Sequence, residues 1–307
     1  MTTPAQDQTV EVELGGRTVS VPKGGLYDRY RMATDLDVVA ADPRVTSVDW
    51  FRSMPKTPVE SRIGPTMTPN FYYRISFARV VMLAQTRVIR SQLPAGLDPL
   101  QVAPGRGIVS VMFFRYDVAD IDFYTEAAVG IAVRPARHGR VGAIDLFAGL
   151  ADDHVHTYVL ALPVNTEIAQ IRGHDGYGFP KWVTDLDVEI DNNRVDATVA
   201  NAKGGVDMAL SVATPGQSTH QTGDRVSTLT SYTQIDGAWH STFSQTNVLA
   251  GGSKVLPRDV NLTVGEGRMS DALRTLSPGR VIRLDVVTNG QLALHLPVPT
   301  SVPTKHP

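Results

Sequence analysis

The chain has 307 residues, 42% of them hydrophobic and 20% charged, and its 29 basic residues nearly balance 31 acidic ones. Such a composition can bury a sizeable core without external staples, and the even charge, with no Lys/Arg block, excludes the electrostatic footprint of a nucleic-acid binder. Cysteine is absent, which excludes disulfides, thiolate metal ligands and a cysteine nucleophile together.

Residues 1–65 read as an extension that packs on or caps the main domain. Its polar start, Met1 to Val10, lacks the basic and then apolar layout of a secretory signal. An alternating stretch from Val10 to Val21 follows, then turn-rich sequence with Pro43, Pro55, Pro58 and Pro65. No apolar run approaches the ~20 residues that cross a bilayer, so a soluble cytoplasmic protein without membrane partners is expected.

From Phe71 onward the pattern is of strands: Tyr72 to Leu83, Gly107 to Phe114, Thr125 to Val133, His156 to Leu162, Trp182 to Ile190, Arg194 to Asn201 and Val206 to Val212. Helices are few. Thr86 to Leu93 stops at Pro94-Ala95-Gly96, and Ser270 to Leu276 has Ser270-Asp271 as N-cap and Ser277-Pro278-Gly279 as its stop. Pro215 to Thr230, rich in Ser, Thr, Gln and Gly, reads as an exposed loop, and Pro297 to Pro307 as a proline-rich tail that cannot continue a sheet.

The segment Gly173-His174-Asp175-Gly176-Tyr177-Gly178-Phe179-Pro180-Lys181-Trp182 places three glycines and a proline ahead of one lysine. Glycines allow positive φ or close approach, and Pro180 fixes its own φ and biases Phe179 toward extended geometry. A neutral lysine amine attacks a ketone to give an imine, and the protonated imine withdraws electrons so that a β-carboxylate leaves as carbon dioxide. A free lysine is protonated near neutral pH, so this chemistry needs burial to disfavour the ammonium; Tyr177, Phe179 and Trp182 supply the apolar walls. Strict alternation opposes this, since it puts Lys181 on the side of Val183, Asp185, Asp187 and Glu189, away from Trp182, Leu186, Val188 and Ile190. A break in alternation after Pro180, such as a bulge, reconciles the two. The plainer alternative is a lysine on a solvated face after a Gly-rich turn.

At Gly178-Phe179-Pro180-Lys181 the sequence resembles the acetoacetate decarboxylase family, whose Schiff-base lysine follows an aromatic-proline pair; acetoacetate decarboxylase is itself the standing example of a lysine activated by desolvation or a neighbouring cation. Tyr124-Thr125-Glu126 is similar to the family's segment with an active-site glutamate, with Asp117 preceding it at a similar interval. The resemblance makes Lys181 and Glu126 the catalytic residues, with Arg79, Tyr124, Phe179 and Trp182 binding substrate; Arg74 is the fallback for the carboxylate-binding arginine. It extends over residues 66–297, through a closing strand, helix and strand at Val260 to Pro297. Trp182 stands where the family has a second lysine, a second glutamate falls on Val111, and the family's Arg-Glu pair is represented by Arg172 with His174-Asp175.

Glu126 shares its side of a strand with Ala128, Gly130 and Ala132, small residues that leave room beside the carboxylate. His154 and His156, beside Asp152 and Asp153, are spaced like zinc ligands on a strand but lack a third ligand. Gly176-Tyr177-Gly178 lacks the third glycine and helix of a dinucleotide site, and Gly251-Gly252-Ser253-Lys254 lacks phosphate-loop spacing.

Together these imply an α+β, mainly antiparallel β-barrel-like fold with few helices: an extension (1–65), one domain (66–297) and a flexible tail (298–307). The function implied is a cofactor-independent lyase acting on a small keto acid through a lysine Schiff base, first of all decarboxylation of a β-keto acid. The alternatives are imine-dependent aldolase, dehydratase or cyclase chemistry on a larger keto substrate, favoured by Trp182 and Val111 enlarging the pocket, and a non-catalytic small-molecule binding protein. No metal or organic cofactor is called for, and the resemblance implies a homo-oligomer.

Overall fold

Long runs of β-branched and aromatic residues from Asn70 onward favour extended pairing, and the computed structural model, which describes residues 8–135 and 154–302, closes them into a barrel. Ahead of it lie a hairpin of β1 (Thr9–Leu14) and β2 (Arg17–Pro22), helices α1 (Leu26–Tyr30), α2 (Leu36–Ala40) and α3 (Asp49–Arg52), and a hairpin of β3 (Thr57–Ser61) and β4 (Gly64–Thr68). Next come β5 (Asn70–Gln85), α4 (Thr86–Gln92), β6 (Leu97–Pro99), β7 (Gln101–Ala103), β8 (Arg106–Ala119), β9 (Tyr124–Pro135) and β10 (His154–Val164). Helix α5 (Glu167–Ile171) runs into a π-helical turn, Arg172–Gly176, and then β11 (Lys181–Val183), β12 (Leu186–Ile190), β13 (Arg194–Ala200) and β14 (Val206–Ala213). The chain ends through β15 (Ser218–Thr219), β16 (Val226–Ile235), β17 (Ala238–Val255), β18 (Asn261–Val264), α6 (Arg268–Thr275), β19 (Val281–Leu294) and β20 (Val298–Pro299).

The barrel order is β10-β16-β17-β19-β5-β8-β9, closed by β9 pairing back onto β10. Every pairing around it is antiparallel except β10 with β16, so the expected mainly antiparallel α+β barrel is the observed one. Its outer face carries Val80 and Met82 of β5, Val111 and Phe113 of β8, and Val129 and Ile131 of β9. These pack against Val188, Val199 and Met208 of a second sheet, β12-β13-β14-β18, and against Met269 and Leu273 of α6. Each such side chain contributes roughly 1.5–3 kcal/mol on leaving water. The inner face carries Phe77, Phe114, Tyr116, Tyr124, Leu162, Val164 and Leu294. Residues before Asn70 lie against the rest of the fold: Phe51 packs on Phe71 and Tyr73, and Val12, Leu14, Val19 and Val21 pack with Ile168 and Ile171 of α5.

Four sequence expectations are corrected. Trp182 to Ile190 is not one strand, because the chain leaves the barrel after Val183 and enters the covering sheet at Leu186. Thr184 holds the switch, its N–H donating to Val164 O at 2.9 Å and its hydroxyl to Ala200 O at 2.8 Å. Pro215 to Thr230 is not all loop, because β16 begins at Val226, where Thr228 and Thr230 suit an extended ladder. The proline-rich end still pairs, Val298 opposite Ser241 and Pro299 opposite His240, in a two-residue edge strand where a missing N–H costs little; residues 303–307 lie outside the described ones. Helix α6 is capped from β14 rather than by Ser270: Asp207 accepts from the N–H groups of Met269 and Ser270 at 2.9 and 2.8 Å.

Candidate active site

A β-bulge in β10 decides what faces the barrel interior. Val159 pairs with Gly130 and Ala161 with the very next residue of β9, Val129, so Leu160 is the extra residue and the alternation reverses there. Before the bulge His154, His156 and Tyr158 point outward. After it Leu162 and Val164 point inward, between Lys181, the register partner of Leu162, and Glu126, the partner of Val164.

The turn that delivers Lys181 is helical rather than an open loop. Arg172–Gly176 continues α5 as a π-turn, the N–H of Gly178 donates to His174 O at 3.0 Å, and that of Phe179 to Gly173 O at 2.9 Å. Gly178 has φ +73°, and a Cβ there would come within 2.7 Å of Ile235, so both conformation and space demand glycine. Lys181 opens β11 with its side chain 8% exposed, and its ammonium lies 2.5 Å from Oε2 of Glu126, itself 9% exposed.

Around this pair stands an aromatic wall. The Lys181 Nζ is 5.6 Å from the centre of the Tyr124 ring, which stacks on Tyr116 at 4.4 Å; Tyr116 stacks in turn near Tyr72 and Phe114. Tyr116 donates its hydroxyl to Oε1 of Glu126 at 3.2 Å, and Tyr124 donates to Tyr72 at 3.2 Å. Burial holds the phenols of Tyr116, Tyr124 and Tyr72 well above the ordinary tyrosine range, so all three remain neutral hydrogen-bonding groups. Phe179 stacks on Tyr177 at 6.1 Å and joins Ala128 and Leu162 in a buried cluster.

The structure thus brings together Lys181, Glu126, Tyr124 and Phe179. It does not bring in Trp182, whose indole faces the covering sheet under the Arg268 guanidinium at 4.0 Å, on the opposite side of β11 from Lys181. Val111 likewise lies on the outer face, fully buried against the covering sheet. Neither residue enlarges an interior pocket. The bulge invoked to rescue Lys181 from the acidic side is not where the conflict resolves: Asp187 and Glu189 belong to a different sheet, and Asp185 lies in the link that leads to it.

Both candidate arginines are committed elsewhere. Arg79 donates Nε and Nη2 to Oδ2 of Asp285 at 3.0 and 2.8 Å, and Arg74 gives Nη1 to Thr288 O at 2.7 Å and Asn289 Oδ1 at 3.1 Å. Asp117 pairs with Arg115 at 2.8 Å, away from the site. His154 bonds Thr228 and Thr230 on the outer face and His156 bonds Tyr232; Asp152 and Asp153 lie outside the described residues, among which no metal-holding cluster occurs.

The sequence does not single out Tyr116, and it marks Arg172 only as the counterpart of the family's Arg-Glu pair. Tyr116 shares a face of β8 with Phe114 and pairs in register with Tyr124, so the two-residue period carried its signal. Arg172 is 3% exposed, its Nε has no hydrogen-bond partner among the described residues, and its Nη1 donates to the Thr66 hydroxyl at 3.4 Å. The Tyr177 hydroxyl is buried beside it; burial raises that phenol, and the Arg172 guanidinium, by its charge and by hydrogen bonding, pulls it part of the way back.

Comparisons with known proteins bear on the family and the fold. The acetoacetate decarboxylase (ADC) family model matches residues 53–284. Among solved structures, the acetoacetate decarboxylase of Legionella pneumophila subsp. pneumophila str. Philadelphia 1 is similar at 12% identity and a TM-score of 0.56, over 76% of this chain and 87% of that one. A second acetoacetate decarboxylase is similar at 13% identity and a TM-score of 0.51, over 76% and 89%. The enduracididine biosynthesis enzyme MppR, with HEPES buffer bound, is similar at 15% identity and a TM-score of 0.50, over 76% and 88%. At these identities the likeness is one of fold. No curated protein matches the sequence.

Proposed function

Since the chain belongs to the acetoacetate decarboxylase family, we propose that it is a cofactor-independent lyase that decarboxylates a small β-keto acid through an imine on Lys181. The observation that carries this reading is one buried amine held against one buried carboxylate inside an aromatic barrel.

Glu126 takes a proton from the Lys181 ammonium, and the free amine attacks the substrate's keto carbon to give a carbinolamine. Uptake of one proton from solvent and loss of water leave an iminium. The electron pair of the bond to the carboxylate then moves into the iminium, carbon dioxide departs, and an enamine remains. Glu126 returns its proton to the enamine carbon, and one water molecule hydrolyses the resulting iminium to release the ketone and restore the ammonium. The balance is one keto acid anion and one proton in, one ketone and one carbon dioxide out. Tyr116 keeps the carboxylate oriented through Oε1 while Oε2 faces the amine.

Arg172, not Arg79, is the better partner for the substrate carboxylate. It is buried without a carboxylate of its own among the described residues, and it lies on the turn that delivers Lys181. Tyr124 and Phe179 wall the site. The family likeness also supports a homo-oligomer, which light scattering on the purified chain would test.

The reading is tested by borohydride reduction of the protein with acetoacetate and longer keto acids, followed by peptide mapping, with Lys181→Ala as control. An adduct confined to Lys181 supports it. Absence of any adduct overturns it and leaves a protein that binds small molecules without reacting with them.

A further inference from the structure

We infer that Gly173 is a positioning residue, whose missing side chain makes the room through which Lys181 reaches Glu126. This rests on the imine reading of Lys181 and adds a residue to it. Gly173 is buried and second in the π-helical turn Arg172–Gly176. A Cβ built on it would have Cδ, Cε and Nζ of Lys181 as its three nearest atoms, Nζ at 3.0 Å and both carbons far inside van der Waals contact. The lysine side chain therefore runs through the volume that any other residue would fill.

Backbone conformation does not ask for glycine here. Gly178 needs its positive φ of 73°, but Gly173 lies outside the left-handed region and within a helical turn, where alanine is ordinarily the more stable residue. The reason for glycine at this position is thus steric, and the obstacle it avoids is the flexible end of one side chain rather than backbone. When a methyl group is added, the turn keeps its course and the lysine moves aside. The amine then loses its 2.5 Å contact with Oε2 of Glu126. A folded protein without a productive amine results.

The test places Gly173→Ala in the full chain in two backgrounds. With Lys181 present, borohydride trapping of acetoacetate at Lys181 is expected to fall about tenfold or more, and kcat about 100-fold with KM little changed, the scale expected of an ångström of misplacement. In the Lys181→Ala background the space is free, so Gly173→Ala leaves the thermal midpoint unchanged or raises it, while with Lys181 present it lowers the midpoint. Failure to fold only when Lys181 is present reports the same coupling. An equal loss of stability in both backgrounds, or wild-type trapping by Gly173→Ala, overturns the inference. The thermal comparison uses no substrate, so coupling between the two positions in a protein that traps no keto acid would sink the imine reading and leave the niche standing.

Discussion

Lys181 and Glu126 reach each other across a single strand: Lys181 sits beside Leu162 on one edge of β10, and Glu126 beside Val164 on the other. Two side chains 55 positions apart in sequence become a contact pair because one bulge turns both of these β10 residues inward. Removing either partner leaves a lone charge inside the barrel. Glu126→Gln is expected to cost about 3 kcal/mol of stability and to lower kcat by roughly 10²–10⁴, with KM little changed. Denaturant unfolding and steady-state kinetics on acetoacetate check both; an unaltered kcat would remove Glu126 from proton transfer.

Arg172 and Arg79 should part company when replaced. Arg172→Met removes a buried cation that has no carboxylate partner among the described residues, so stability holds or improves, while KM for the keto acid rises about tenfold or more for loss of a charged hydrogen bond. Arg79→Met leaves KM alone and costs about 1 kcal/mol, because Asp285 keeps Arg283 and Ser253 as partners. The reverse pattern in paired kinetic and unfolding measurements would return the carboxylate-binding role to Arg79.

Trp182 belongs to stability rather than chemistry. Trp182→Leu should cost about 2 kcal/mol through lost packing and the lost Arg268 contact, with kcat/KM unchanged. A changed preference among keto acids of different length, measured on the folded variant, would put the indole back in the site.

Asp122 gives the fold a pH dependence. Burial, reinforced by Asp28 and Asp120, raises its carboxyl to about 6 although it accepts from the N–H groups of Leu26 and Tyr27. The unfolded carboxyl titrates near 3.9, so between about pH 4 and 6 the native state holds a proton that the unfolded state lacks. This contribution is full below pH 4 and is lost as pH rises through 6. Wild type should therefore gain on the order of 2 kcal/mol relative to Asp122→Asn between pH 7 and 4, allowing for partial exposure. Parallel stability curves for the two proteins would contradict this.

The motif around Lys181 and the segment at Glu126 could be read from sequence because each side chain is placed by short-range chemistry: glycine and proline punctuation before one, small alternating residues after the other. Trp182 could not be placed that way. Its alternation with Leu186 and Val188 is real, since all three pack in the same outer core, but Lys181 and Asp187 lie on different sheets once Thr184 carries the chain across. Arg79 misled for a related reason, as its partner Asp285 lies 206 positions away. Arg172 gives no local sign of burial, because its surroundings come from the residues around Thr66 and Tyr27.

The parallel step between β10 and β16 bears on how the protein is made. Between these two neighbours the chain must build the lysine turn, β11 and three strands of the covering sheet before the barrel can shut. Pairings that enclose so long an excursion are slow, because loop entropy is spent before contacts return it. During refolding, strand content should thus appear ahead of any capacity to be trapped by borohydride. A chain halted before β10 meets β16 would hold Lys181 and Glu126 on the two edges of β10 with the barrel still open to water, with the sequence of an enzyme and the reactivity of a peptide.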